Sequence, residues 1–231
     1  MAVIVNIETA TKVCSVSLSK DSELISIRES IIENSHSGQI TVFVEEVLQE
    51  SGISINNVDA FSVSKGPGSY TGLRIGVSTA KGFCFALDKP LISVGTLDSM
   101  TNGLISLNIF KESVLFCPMI DARRMEVYCA VFNHDKKMIL PVSAEIIDNQ
   151  SFSEFLTNSE IVFFGDGADK CKQILNSENA MFYDDFNASS KHMITIAEKE
   201  YQKKNFENII SFEPFYLKDF VAGKPKVKGL N

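Results

Sequence analysis

The 231-residue chain lacks the residue patterns that most metal, disulfide and nucleophile chemistry needs. Its five cysteines, Cys14, Cys84, Cys117, Cys129 and Cys171, are odd in number and scattered, with no CxxC pair. That argues against a disulfide framework or a zinc site and for reduced thiols. The three histidines, His36, His134 and His192, include no pair at the i, i+4 spacing that sets two imidazoles on one helical face, so no metal site is expected. No G-x-S-x-G run offers a nucleophile elbow, and no Lys-Ser/Thr pair closes a glycine-rich loop as a P-loop does. No apolar run approaches the ~18 residues of a membrane span. The opening Val3-Ile4-Val5-Asn6-Ile7 lacks the charged-then-apolar pattern of a signal peptide. A cytoplasmic chain with no membrane contact is therefore expected. Positive charge is also scarce: 22 Lys and Arg against 29 Asp and Glu leave a net charge of −7. Such a chain repels phosphate backbones as a whole, so any nucleic-acid contact must be local or made by a partner.

What is present is a core and a repeated grammar. A hydrophobic fraction of 45% supplies enough apolar surface for a chain of this length to bury roughly 70% of its area. Strand-like runs at 3–7, 14–18 and 24–28 are followed by a helical pattern over 36–51. A strand at 60–64 then runs into Gly66-Pro67-Gly68, a helix over 71–87, a strand at 91–94 and a helix over 96–107. The second half reads alike: strands at 114–120, 126–132 and 138–146, a helix over 151–158, a strand at 161–164 and the turn Gly165-Asp166-Gly167. A helix over 168–175, a strand at 181–183 and a helix over 189–203 complete it. Both halves read β-β-β-α-β-α-β-α, an α/β chain of two subdomains at 1–105 and 106–210 with a tail over 211–231. That tail carries Lys218, Lys224, Lys226 and Lys228 against Asp219, either a basic arm or a solvated end.

Two helices hold more apolar surface than one sheet needs. At 100° per residue, Leu73, Val77, Ala80, Cys84 and Leu87 form one stripe, and Ile75, Gly76, Thr79, Phe83 and Ala86 form a second, nearly opposite. The helix over 36–51 adds Ile40, Phe43, Val44, Val47 and Leu48 on one arc. A helix-to-helix partner surface is expected from Ile40, Phe43, Val44, Val47, Leu73, Gly76, Val77, Ala80 and Phe83, with self-pairing when the partner is absent. Gly66-Pro67-Gly68-Ser69 reads either as a phosphate cradle or as a sharp strand-to-helix turn capped by Ser69 or Thr71. Arg123-Arg124, with Lys218, is a candidate anion or RNA contact; ion pairing of the arginines with nearby Glu126 is the plainer account.

The duplicated topology resembles the actin–sugar kinase–heat-shock-protein nucleotide-binding fold. Val5-Asn6-Ile7-Glu8-Thr9-Ala10, the run from Lys65-Gly66-Pro67-Gly68-Ser69-Tyr70-Thr71-Gly72 to Leu73-Arg74-Ile75-Gly76, Ala80-Lys81-Gly82 and Asp121-Ala122-Arg123-Arg124-Met125-Glu126-Val127-Tyr128 resemble the TsaB (YeaZ) family. Tyr216-Leu217-Lys218 stands where that family tends to have Tyr-Leu-Arg. The resemblance implies a non-catalytic subunit that pairs with a TsaD-like catalytic paralogue, joined by a TsaE-like P-loop ATPase, in threonylcarbamoyl-adenosine synthesis at tRNA position 37. Contact with tRNA would then be indirect. It also implies a degenerate nucleotide cleft and no cofactor. Lys12 stands where the paralogue has an Asp, and Asp121-Ala122-Arg123-Arg124 replaces a Gly-Gly-His-Thr turn, while Gly66, Gly68, Gly165 and Gly167 remain. A glycoprotease-like peptidase, an ATP-dependent transferase or kinase of the same fold, and a direct tRNA-binding module through the lysine tail are the rival readings.

Overall fold

The computed structural model describes residues 2–31 and 36–218. Val3–Glu8 (β1), Cys14–Lys20 (β2) and Glu23–Ser30 (β3) form an antiparallel run, to which Ala60–Gly66 (β4) and Leu91–Gly95 (β5) add in parallel, giving the order β3-β2-β1-β4-β5. Leu115–Asp121 (β6), Glu126–Phe132 (β7), Met138–Ile146 (β8), Ile161–Phe164 (β9) and Ala180–Tyr183 (β10) build a second sheet in the order β10-β9-β6-β7-β8. Read from the other edge, that order repeats the first.

The first sheet is buried on both faces. Residues alternate across a strand, so Val5 and Ile7 of β1, Val16 and Leu18 of β2, and Phe61 and Val63 of β4 share a face. That face is covered by His36–Ser51 (α1) and Tyr70–Leu87 (α2), whose Ile40, Val44, Val47, Val77, Ala80 and Cys84 complete one cluster. Arg28 of β3 ties α1 down, with Nε 3.1 Å from Glu46 and a terminal nitrogen 2.8 Å from Glu50. The opposite face meets the far end of the chain. Ile4, Ala60, Ile92 and Val94 pack on Met193 and Ala197, which belong to a 3-10 turn at Ser190–Met193 and the helix Ile194–Gln202 (α5). Between the apolar contacts the same face is polar. Ser62 Oγ donates to Asn6 Oδ1 at 2.6 Å, and Asn6 Nδ2 donates to Ser19 Oγ at 3.1 Å, so these buried groups are paired, as burial demands. Ser189 and Ser15 both donate to Glu29 Oε1, and Ser190 N donates to Ser15 Oγ.

The helix Thr96–Ile105 (α3), which follows the first sheet, packs instead on the second. Its Leu97, Met100 and Leu104 join Phe116, Ile120, Phe132, Val162 and Phe164. The other face of that sheet is closed by Leu156 of the short helix Ser153–Leu156 (α4), with Cys171 and Leu175. Each half thus lends an element to the other half's sheet. Fully burying one Phe or Leu stabilises a fold by about 1.5–3 kcal/mol, so these exchanged contacts bind the halves strongly. All five cysteines are free and buried.

Three expected helices differ in the second half. The segment 168–175 holds a 3-10 turn at Asp169–Cys171 in place of a helix. The helix expected over 151–158 shortens to Ser153–Leu156, because Phe152 takes a left-handed φ of 61° and ends the pattern on its N-terminal side. The segment 189–203 begins as 3-10 before α5. The first two apolar patterns are short, and a helix this short does not offset its own nucleation cost.

Residues 206–218 have no periodic pattern, yet they are docked along the first half. Glu207 N donates to Leu91 O at 2.8 Å, Lys81 Nζ donates to Phe212 O at 3.1 Å, and Phe215 N donates to Lys65 O at 2.7 Å. Ile209 and Phe212 pack on the first core, and the rings of Tyr216 and Tyr70 lie 4.7 Å apart. Lys224, Lys226 and Lys228 fall outside the described residues, as does the side chain of His36.

Candidate functional site

The glycine-rich run is explained by what it touches. Gly68, Gly72 and Gly76 recur every four residues, and each faces the turn that follows β1. A Cβ on Gly68 would sit 2.9 Å from Ala10 Cα, one on Gly72 would strike Thr9 O, and one on Gly76 would strike Thr9 Oγ1. Ser69 N donates to Ala10 O at 2.6 Å, and Thr9 Oγ1 donates to Gly72 O at 2.8 Å. Ser69 caps α2 by accepting from Gly72 N at 3.2 Å. Gly66 has φ +113°, and a Cβ there would lie 2.6 Å from Phe215 O; its peptide bond to Pro67 is cis. The run therefore holds the start of α2 against the β1–β2 turn. Gly76, expected to admit a partner helix, is filled by Thr9.

Around the turn that follows β6, charged side chains pair with one another. Asp121 Oδ1 accepts from Arg123 N at 2.9 Å and from Lys170 Nζ, which also donates to Glu126 O at 2.7 Å. Asp166 Oδ1 accepts from Asp121 N at 3.1 Å. Burial pushes the Asp166 carboxyl above the usual range, opposed in part by the charges of Lys12 and Lys170; exposed Lys12 thus faces Asp166 from the other half. Gly165, at φ +98°, and Gly167 let this turn lie on the β6 backbone, where a Cβ would meet Met119 O and Ile120 C respectively. Glu126, expected to pair with the arginines, is instead held by Lys218. Arg123 and Arg124 are exposed, lie at φ 73° and 50°, and have no ion pair among the described residues.

Sequence reasoning missed Glu8. It is fully buried at the end of β1, with Oε1 accepting from Ala10 N at 2.6 Å and Oε2 without a hydrogen bond among the described residues. Burial raises its pKa to about 7. Its only signal in the sequence is an acid closing an otherwise apolar and neutral strand.

On the partner surface the structure corrects the residue choice. Ile40, Val44, Val47, Leu73, Val77 and Ala80 are interior, and Phe43 and Phe83 are half-buried against the same core. The reason is that α1 and α2 pack on the sheet and on each other, which consumes both apolar arcs. What faces outward is Arg74, Ser78, Gly82, Phe85 and Ala86 on α2 and Thr41, Val42 and Glu45 on α1. Phe85 is 82% exposed and Val42 47%, and a Cβ on Gly82 would meet nothing within 4 Å. Beside them Thr41, Glu45, Gln49, Ile55 and Phe83 line a groove of about 400 Å³.

Two five-stranded sheets of one strand order, each exchanging a helical element with the other, define an α/β protein of the actin-like ATPase class. A family model described as TsaD, tRNA N6-adenosine threonylcarbamoyltransferase, matches residues 27–226, and the chain belongs to this family. It is 28% identical to the tRNA threonylcarbamoyladenosine biosynthesis protein TsaB of Haemophilus influenzae over 227 residues, 94% of each chain. It is 35% identical to the TsaB of Escherichia coli over 136 residues, covering 59% of this chain and 57% of that one. A crystal structure of a Pseudomonas aeruginosa protein with similarity to peptidase YEAZ superposes with a TM-score of 0.81 at 21% identity, over 94% of this chain and all of that one. The TsaB (YeaZ) resemblance thus runs the length of the chain. Among the described residues no helix is long and apolar enough to cross a membrane.

Proposed function

We propose that this chain is a cytoplasmic, non-catalytic subunit in tRNA threonylcarbamoyladenosine synthesis. It pairs through the outward faces of α1 and α2 with a TsaD-like paralogue, which transfers the threonylcarbamoyl group to N6 of adenosine 37. A TsaE-like P-loop ATPase joins through that complex, and the same helix face pairs two copies of the chain when the paralogue is absent. The family match and the TsaB names of its relatives support the pathway. The observation that carries the pairing is the ridge of Ser78, Gly82, Phe85 and Ala86, small residues flanking an aromatic ring that is 82% exposed. An exposed Phe among small side chains lets a second helix approach closely and bury the ring. A peptidase or ATP-dependent transferase reading is not favoured, because the relatives that match this chain over most of its length carry TsaB names.

The test is Phe85→Glu, chosen because the side chain is outside the core. Co-purification with the paralogue should fall at least tenfold while the isolated chain keeps its melting temperature. Pairing that survives both Phe85→Glu and Gly82→Arg unchanged would move the interface elsewhere.

A further inference from the structure

The hairpin turn between β6 and β7 carries two features that single it out. Its residues Arg123 and Arg124 both take positive φ, 73° and 50°, the left-handed region that hairpin turns ordinarily fill with Asn and Gly. Arginine has no local side-chain bond to offset that conformation, and Asn-Gly would relieve it. The two guanidiniums are also exposed and have no ion pair among the described residues, although carboxylates lie close by. Asp121 is taken by Lys170, Glu126 by Lys218, and Asp166 faces Lys12 and Lys170. The docked segment 206–218 supplies one of these partners, since it delivers Lys218 to Glu126 after Phe215 N bonds Lys65 O. With Asp121 and Glu126 held by lysines, the two arginines are left as local positive charge on a chain whose net charge is −7.

We infer that the Arg123-Arg124 turn is a phosphate-binding tip for the backbone of an RNA strand. Guanidinium forks match phosphate oxygens bidentately, and adjacent forks suit consecutive phosphodiesters. The tip is an exposed hairpin end, so it suits a strand passing over it better than a small nucleotide needing enclosure. The chain's overall negative charge keeps binding confined to this tip, so affinity is weak and steeply dependent on salt. This site is separate from the α1–α2 ridge and does not rest on the pairing proposed there.

The test uses the full chain and a fluorescein-labelled RNA hairpin, read by anisotropy across a salt series. Arg123→Asn/Arg124→Gly removes both charges while giving the turn the residues its backbone prefers. Arg123→Gln/Arg124→Gln removes the charges at nearly constant size. Lys137→Ala/Lys203→Ala removes two charges away from the turn. The wild type should bind at low salt; both arginine variants should bind at least tenfold more weakly. Their log Kd against log salt slope should be shallower by about two, one for each phosphate that an arginine no longer neutralises. The lysine variant should match the wild type. The Asn-Gly variant should melt above the wild type, as relief of the left-handed strain requires. Equal RNA affinity and slope in the arginine variants, or no binding by the wild type at low salt, would overturn the proposal. So would arginine-dependent binding of pyrophosphate or ATP without RNA binding, which would make the tip a small-phosphate site.

Discussion

Helix α2 contains glycines in opposite situations, and the contrast gives a sharp test of the packing argument. Gly82 lies inside the helix, is exposed, and has no atom within 4 Å of an added Cβ. Replacing it with Ala removes backbone freedom from the unfolded chain and adds no clash, so Gly82→Ala should stabilise by about 1 kcal/mol. For a chain of this size that is a rise of roughly 2–4 °C. Gly76, six residues earlier, gains the same propensity, but its Cβ would drive into Thr9 Oγ1 and lies only 3.4 Å from Thr9 Cβ. Thr9 would have to give up its 2.8 Å bond to Gly72 O, worth about 1 kcal/mol, on top of about 1–3 kcal/mol of overpacking. Net destabilisation of about 1–3 kcal/mol follows, so the two variants should differ by roughly 2–4 kcal/mol. Urea unfolding followed by circular dichroism measures both. The double variant Thr9→Ala/Gly76→Ala removes the clashing hydroxyl and should be more stable than the two single losses add up to. A Gly76→Ala protein as stable as wild type, or a destabilised Gly82→Ala, would refute the claim that these glycines seat α2 on the β1–β2 turn.

Two further perturbations probe the end of β1 and the docked segment. Glu8 has its pKa raised from 4.5 to about 7 by burial. Between those values the folded chain holds a proton that the unfolded chain has lost, so the stability it contributes is full below pH 4.5 and is lost as pH rises to 7, by about 3 kcal/mol at most. Glu8→Gln should abolish that loss in pH-dependent denaturation; an unchanged profile would count against a protonated Glu8. The variant should leave the opposite trend of His192, whose pKa burial lowers from 6.5 to about 4 and whose contribution is lost as pH falls through that window. Phe212→Ala should cost about 2 kcal/mol, because this half-buried ring packs on the first core from the docked segment. Thermal melting within 0.5 °C of wild type would show that the segment adds nothing to stability.

The first sheet and its helices were legible because their signals are redundant. β-branched runs such as Val3-Ile4-Val5, a capping Ser69 and a helical arc sustained over 36–51 all point one way, and α1 runs over His36–Ser51 as expected. The five strands of the second sheet were legible for the same reason. Its short helices were not, since Ala168, Cys171, Ile174 and Leu175 show helical spacing but lie in a stretch too short to hold a helix before β10 begins at Ala180. The choice of partner residues failed for a different physical reason. When a helix is apolar on two arcs, periodicity shows that both are buried but not what covers them, and here the sheet and the neighbouring helix do. Phe85 lies on neither arc, and only the packing reveals it as the outermost aromatic of α2. The docked segment left no pattern because backbone bonds to Leu91 and Lys65 hold much of it.

The asymmetry of the two halves bears on why the glycines persist when the cleft is filled by side chains. Both sheets have the same order, but the outer face of the first is covered by helices of 16 and 18 residues, and the matching positions of the second hold a four-residue helix and a 3-10 turn. Eighteen residues at 1.5 Å make a straight ridge of about 27 Å, long enough to supply one side of a standard interface of about 800 Å². One turn of helix cannot. A docking ridge is useful only if its helix is rigidly placed, and α2 is placed by Gly68, Gly72 and Gly76 on Thr9 and Ala10 and by Lys81 on the segment around Phe212. A glycine run that resembles a phosphate cradle thus has a sufficient reason to exist without any phosphate: it fixes the angle at which α2, with its exposed Phe85, stands on the β1–β2 turn.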